Sequence, residues 1–194
     1  MAAVELTELH KYFIMRHLRE GDVAVDFTMG NGNDTLFLSR AVGEAGRVYA
    51  FDIQEEALDS TRKHLEENGA PNNYTLICAS HHRVKEFVNE PIKAGMFNLG
   101  YLPRSGKKAV TTMRETTLPA VRAALELLCP DGVLIVAIYP GHEEGALEGE
   151  MLREYFSGLS RYRVCPSEFK ILNSPTSPYF FLVEKSPRAI YGEI

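Results

Sequence analysis

The sequence has no tryptophan and only three cysteines, Cys78, Cys129 and Cys165. They lie far apart without a C-x-x-C pair, which excludes a disulfide framework and a cysteine zinc site. They read as reduced, buried thiols of a cytoplasmic protein. Long hydrophobic runs are also missing. The longest, "VLIVAIY" from Val133 to Tyr139, is far too short to span a bilayer. The segment "MAAVELTELHKYFIMRHLRE" carries charges throughout and lacks the unbroken apolar stretch of a signal peptide, so a cytoplasmic location without membrane association is expected. Positive charge is not in excess: 21 Lys and Arg face 26 Asp and Glu, for a formal net charge of -5. This argues against a broad basic nucleic-acid-binding face, though not against a local basic patch. Internal repeats, low-complexity segments and interdomain linkers are absent. With 45% hydrophobic and 24% charged residues, the chain is ordinary for a globular protein, and residues 1–194 read as a single domain.

What is present is an alternation of patterns. Leu6, Leu9, Phe13, Ile14 and Leu18 share one face of an amphipathic helix, ended by Gly21-Asp22. Short β-rich runs then alternate with helical segments. "VAVDF" is the first strand and Thr35 to Val42 the first helix after it. "RVYAFD" is the second strand, with a helix from Glu55 to Glu67 stopped by Asn68-Gly69. "YTLICA" and "GMFNL" supply the third and fourth strands. A long helix centred on Leu118, Val121, Leu125 and Leu128 precedes Asp131-Gly132 and the strand "VLIVAIY". Apolar strands separated by helices imply a parallel sheet covered on both faces. The end differs: "YRVCPSEFKIL" and "YFFLVEK", joined by "NSPTSP", should pair antiparallel at one edge. The expectation is an α/β fold with a mostly parallel, seven-stranded, Rossmann-like sheet and a C-terminal antiparallel β-hairpin.

In such sheets ligands bind beyond the carboxyl ends of the strands. "VAVDFTMGNGNDT", Val23 to Thr35, is the first of these ends. Gly30 and Gly32 permit close approach of backbone to ligand. Asn33 or Asp34 can cap the following helix, whose free N–H groups face the ligand. Asp52, ending the second strand in "AFDIQ", can accept hydrogen bonds from both hydroxyls of a ribose. Two ligand classes fit, a dinucleotide and S-adenosylmethionine. The dinucleotide fingerprint G-x-G-x-x-G would need glycine at Thr35. The methyltransferase form D-x-G-x-G-x-G reads Asp26-x-Thr28-x-Gly30-x-Gly32, with threonine replacing one glycine. Asp26 suits a cationic sulfonium ligand and would repel a pyrophosphate.

The fourth strand ends "FNLGYLP". Asn98-x-x-Tyr101 is similar to the N-P-P-Y motif of amino-directed methyltransferases, with Leu99 and Gly100 in place of the prolines. Methyl transfer is an in-line displacement, so an acceptor nitrogen must aim its lone pair at the methyl. The Asn98 oxygen and a backbone carbonyl can hold the amine hydrogens, and Tyr101 can pack on an acceptor ring. The plainer alternative is a turn, with Asn98 capping backbone groups and Tyr101 in the core. Downstream Arg104, Lys107 and Lys108, with Arg114, fit either phosphate contacts or a solvated surface. In "YPGHEEG" the H-E-x-x-H zinc pattern fails because Ala146 stands at its second histidine. His142 therefore fits a substrate contact, a proton relay or a turn-stabilising role. Ser80 and His81 follow the third strand, where methyltransferases read the adenine edge.

Taken together, "DFTMGNGNDT", "FDIQ", "ASHH", "FNLGYLP" and "GHEEG" resemble the MnmM/YtqB family of rRNA methylase-like proteins over nearly the whole chain, with "NLGYLP" the most specific element. The resemblance implies a class I methyltransferase fold with S-adenosylmethionine as cofactor. It further implies methylation of the amine of 5-aminomethyl-2-thiouridine at the wobble position of tRNA, with the anticodon stem-loop as partner. By matching positions it implies donor contacts from Asn31, Asn33, Asp52, Gln54, Ser80 and His81. The chain departs from the family at Arg104-Ser105-Gly106-Lys107, where Gly-Gly-Asp-Lys is common. A local basic strip, joined across a homodimer, would reconcile an acidic chain with an RNA substrate. An rRNA or small-molecule amine acceptor is the nearer alternative. A nicotinamide-dependent oxidoreductase and a non-catalytic nucleotide-binding module are the more distant ones.

Overall fold

The computed structural model describes residues 6–99, 114–141, 143–192 and 194. Tyr101, Arg104, Lys107, Lys108 and His142 lie outside them. The order of elements is α1 (Leu6–His17), β1 (Val23–Asp26), α2 (Asn33–Val42), β2 (Arg47–Asp52), α3 (Glu55–Glu67), β3 (Tyr74–Cys78), a 3-10 turn at His81–Arg83, α4 (Val84–Phe87), β4 (Ile92–Leu99), α5 (Arg114–Leu127), β5 (Leu128–Ile138), α6 (Glu143–Ser157), β6 (Val164–Phe169) and β7 (Tyr179–Lys185).

Period-two alternation within the strands sorts side chains between two cores. In β5, Val133, Ile135 and Ala137 join Ile14 of α1, Leu18 just after it, and Leu38 and Val42 of α2. Leu134, Val136 and Ile138 join Val121 and Leu125 of α5 and Leu152 and Phe156 of α6. The same count runs through β1, where Ala24 faces α1 and α2 while Val25 faces α5. Helices thus cover both faces, and α3 packs beside α2.

The seven strands are ordered β3-β2-β1-β4-β5-β7-β6. Pairings from β3 through to β5 are parallel, whereas β7 pairs antiparallel with both β5 and β6. Chain order reverses between β1 and β4, so the topological switch point lies at the ends of those two strands. A stack of Phe27 on Phe97, with ring centres 4.1 Å apart and ring planes nearly parallel, packs the two strand ends together below the switch point.

Several expectations need correction. Leu128 starts β5 and does not end α5. Asp131 adopts φ 59° within that strand, and the β4–β5 register shifts between Ile92 and Ala94, so Asp131-Gly132 is an irregularity in the strand. The α6 helix, rich in glutamate and glycine, has too weak an apolar pattern to announce itself. Cys78 and Cys165 are exposed and Cys129 is half-buried; the first two sit on the outermost strands β3 and β6, each next to a buried residue, Ile77 or Val164, that points to the opposite face. Among the described residues no helix is long and apolar enough to cross a membrane.

His10 shows what the α1 core imposes. Its ring is 2% exposed, lies edge-on to Phe180 at 6.2 Å, and its Nε2 has no hydrogen-bond partner among the described residues. Burial lowers its pKa from 6.5 to about 4. On acidification the unfolded chain therefore takes up this proton first. The stability conferred by the neutral ring is complete above pH 6.5 and is lost as pH falls toward 4. His10→Phe is expected to flatten this dependence. Relative to the variant, the wild type should lose on the order of 1 kcal/mol of unfolding free energy per pH unit across that window. Urea unfolding at a series of pH values checks it; a constant difference between the two proteins would reject it.

Candidate active site

The loop after β1 is built on a buried acid. Asp26, 1% exposed, accepts hydrogen bonds from the Thr28 N–H at 3.1 Å and the Thr35 hydroxyl at 2.6 Å. Burial first, then the neighbouring Asp34 charge, holds its carboxyl well above the usual range, against the lowering effect of those two bonds. Asp26 therefore braces the loop from beneath and has no open face for a ligand. Thr35, where the dinucleotide fingerprint calls for glycine, supplies one of the braces.

Above it, Gly30 has φ 51° and Gly32 φ 82°, left-handed values that favour glycine. A Cβ on Gly32 would also meet Thr61 of α3 at 3.0–3.1 Å. The Thr61 hydroxyl donates to the Gly30 carbonyl at 3.0 Å, and Ser60 donates to the exposed Asn31 side chain at 3.0 Å, so α3 fixes the outer side of the loop. At the end of β2, Asp52 accepts from the Gly30 N–H at 3.1 Å through one oxygen and from the Gln54 N–H at 3.0 Å through the other.

Neither Asn33 nor Asp34 caps α2, contrary to the sequence expectation. The N-cap of α2 is Gly32 itself, with no side-chain cap. Asn33 is exposed and Asp34 turns elsewhere, so the first N–H groups of α2 stay open to a ligand. Left-handed glycines, an uncapped helix start and the partly exposed Asp52 carboxylate make a cradle suited to the polar groups of an adenosyl ligand.

Strand parity decides what faces this cradle. Asp26, Asn98 and Tyr139 each follow a residue of the α1–α2 core by two positions, so all three face α1 and α2. Asn98 Nδ2 donates to Asp34 Oδ2, its backbone N–H donates to the Thr28 hydroxyl at 2.7 Å, and the Tyr139 hydroxyl lies 3.4 Å from its Oδ1. These groups open on a cavity of about 580 Å³ walled by His10, Lys11, Asp34, Phe37, Asn98 and Tyr139. Burial, and next the Asp34 charge, keeps the Tyr139 hydroxyl above its usual pKa and hence protonated.

The other expected contacts are more dispersed. Ser80 bonds to His82 Nδ1 at 2.8 Å. His81 lies on the α5 side, edge-on to Phe97 at 5.7 Å. Burial lowers its pKa to about 4, opposed by a hydrogen bond to the Phe27 backbone, and its Nε2 has no partner among the described residues. Neither residue reaches the cavity. Thr28, Thr35 and Tyr139 were missed as site residues. Tyr139 could have been found by continuing the strand alternation past Ala137; the hydroxyl bonds of Thr28 and Thr35 leave no pattern in a sequence.

A family model described as "Putative rRNA methylase" matches residues 48–185. The chain belongs to that family. It is 36% identical over 178 residues to the chloroplastic tRNA (mnm(5)s(2)U34)-methyltransferase of Arabidopsis thaliana. That alignment covers 87% of this chain, and the chain spans 65% of the plant protein. Among solved structures, a Clostridium thermocellum protein described as a "putative rRNA-methylase" is 37% identical, with a TM-score of 0.90 over 95% of this chain and 100% of that one. A Streptococcus mutans protein described as a "putative methyltransferase", solved with S-adenosylhomocysteine, is also 37% identical, with a TM-score of 0.86 over 95% of this chain and 99% of that one. The fold of this rRNA methylase family member is that of class I S-adenosylmethionine-dependent methyltransferases.

Thr28 stands where the general class I pattern has glycine, and its hydroxyl ties the loop to the end of β4. Thr28→Val removes that acceptor at constant shape and leaves the Asn98 N–H unpaired. The expected cost is about 1–2 kcal/mol of stability, with S-adenosylhomocysteine affinity within threefold of wild type, because the glycines and Asp52 are untouched. Thermal unfolding and calorimetric titration measure the two; a large loss of affinity with unchanged stability would contradict this role for Thr28.

Proposed function

We propose that this protein is an S-adenosylmethionine-dependent N-methyltransferase acting on the primary amine of 5-aminomethyl-2-thiouridine at the wobble position of tRNA. The observation that carries the reading is the polar group Asp34–Asn98–Tyr139, on the wall of a roomy cavity beside the glycine cradle. The tRNA (mnm(5)s(2)U34)-methyltransferase activity for which the Arabidopsis relative is named supports the choice of acceptor. The S-adenosylhomocysteine bound in the Streptococcus mutans protein supports the choice of cofactor.

S-adenosylmethionine, when bound, supplies an electrophilic methyl group. In this reading Asp52 holds the ribose hydroxyls, and Asn31, Asn33 and Gln54 border the donor. Gly30, Gly32 and the open N–H groups of α2 lie along its backbone-facing side. Ser80 and His81, after β3, stand by the adenine. A carboxylate can only accept hydrogen bonds, so Asp34 forces the NH2 of Asn98 toward itself and leaves Oδ1 as the acceptor for an amine hydrogen. Tyr139, donating weakly to the same oxygen, fixes its direction. Tyr101 and His142 complete the acceptor side, and Arg104, Lys107 and Lys108 meet phosphates of the anticodon stem-loop, with a second copy of the chain extending the basic strip. A net charge of -5 confines RNA contact to such a local strip.

Incubating the protein with radiolabelled S-adenosylmethionine and an anticodon stem-loop bearing 5-aminomethyl-2-thiouridine should label that nucleoside, and a loop with unmodified uridine should stay unlabelled. Stem-loop affinity should fall as salt rises, with the shallow slope of a few phosphate contacts. Label appearing only on rRNA or on free amines, or binding indifferent to salt, would overturn the tRNA assignment.

A further inference from the structure

The proposed acceptor presents a difficulty. An alkyl amine is largely protonated at neutral pH, and an ammonium has no lone pair to offer a methyl group. We infer that Asp34 is the proton acceptor for this reaction: its carboxylate, held by Asn98 on the cavity wall, takes one proton from the substrate ammonium. The inference rests on the amine reading above.

Geometry singles out this carboxylate. Asp34 lies in the first turn of α2, where its Oδ2 is occupied by Asn98 Nδ2 and its Oδ1 has no hydrogen-bond partner among the described residues. It lines the same cavity as Asn98, so an amine on Asn98 Oδ1 lies within reach of Asp34 Oδ1. The two acids that end β1 and β2 are engaged: Asp26 is covered and bonded on both oxygens, and Asp52 is bonded on both by backbone N–H groups. Each remaining ionisable group facing Asp34 among the described residues is a poorer acceptor. From α1 come Lys11 and Glu8, which hold each other at 3.1 Å, and His10, whose unpartnered nitrogen is enclosed. From α2 comes Arg40, which donates to the Asn68 carbonyl at 2.7 Å and has no lone pair to offer. Just after β5 comes Tyr139, which remains protonated.

The electrostatics favour transfer. In a site partly closed to water, an ammonium–carboxylate pair carries two charges that must be desolvated, and moving one proton removes both. A sulfonium beside the amine adds like-charge repulsion against the ammonium. Burial already raises the Asp34 pKa, opposed by Lys11 and the Asn98 hydrogen bond, so the carboxylate holds a proton more readily than an exposed one. In the step an N–H bond breaks and an O–H bond forms on Asp34, while the electron pair of the broken bond stays on nitrogen. After methylation the nitrogen bears the positive charge formerly on the sulfonium, and Asp34 returns its proton to solvent.

The test is Asp34→Asn, assayed with the stem-loop bearing 5-aminomethyl-2-thiouridine. Wild-type turnover comes first: if it is absent, the acceptor assignment fails and this step with it. Given wild-type turnover, the variant should lose about 100-fold in kcat at pH 7 and regain it tenfold per pH unit toward the pKa of the free amine, because solvent then supplies the neutral form. A separate binding readout uses fluorescence anisotropy in the presence of S-adenosylhomocysteine. Wild type should prefer the amine-bearing loop to the uridine loop by at least fivefold, and the variant should lose that preference while binding S-adenosylhomocysteine within threefold of wild type. Turnover within threefold of wild type, or a loss equal at every pH, would overturn the role of Asp34. Should the variant not fold, the wild-type pH profile decides. A plateau in kcat well below the amine pKa supports the carboxylate, and a tenfold rise per unit continuing up to that pKa rejects it.

Discussion

One buried carboxylate organises the site. Asp26 ends β1 in the interior and accepts from the loop at Thr28 and from the helix at Thr35, tying strand, loop and α2 into one unit. A carboxylate so deeply enclosed is costly unless hydrogen-bonded or protonated, so its two donors are held in place as firmly as they hold it. The position of Thr28 then sets the end of β4 through the Asn98 N–H. Asn98 in turn meets Asp34 on α2, closing a circuit that begins and ends beside Asp26. The proposed donor cradle and acceptor wall are therefore two sides of one hydrogen-bonded ring.

Much of this is legible in the sequence. The alternation of "VAVDF", "RVYAFD" and "YTLICA" with helical segments fixed the parallel half of the sheet, because strands covered on both faces must be apolar throughout. The hairpin "YRVCPSEFKIL" to "YFFLVEK" was equally clear, since no helix could fit between its strands. The spacing of Asp26, Gly30, Gly32 and Asp52 located the cradle for a physical reason: turns that approach a ligand need left-handed backbone, and strand ends need a polar exit. Asn98 was visible as an amide at a strand end.

What escaped has physical reasons too. The α6 helix buries only scattered residues and offers no strong period. Leu128 fits the helical spacing of α5 and the strand equally well, and only pairing with Ile92 decides between them. Asp34 looked like a capping residue because aspartate near a helix start usually caps, yet Gly32 holds that place and frees the side chain for Asn98. Long-range pairs such as Thr28 with Asn98 join residues that share no pattern. The contribution of α1 to the cavity is of the same kind, since a helix far upstream in sequence becomes a wall only once the sheet has formed.

Thr35 limits how this scaffold can change its ligand. A Rossmann sheet that takes dinucleotides needs glycine at that point so that helix and strand can close on a pyrophosphate. Here the place is filled by a side chain whose hydroxyl is bound to an acid. Exchanging Thr35 for glycine would open the space and in the same stroke strip the buried acid of one of its two hydrogen-bond donors, at the cost of an unsatisfied polar group. Passage from one ligand class to the other thus demands two coordinated replacements, at Asp26 and Thr35, with neither single change serving as a stepping stone.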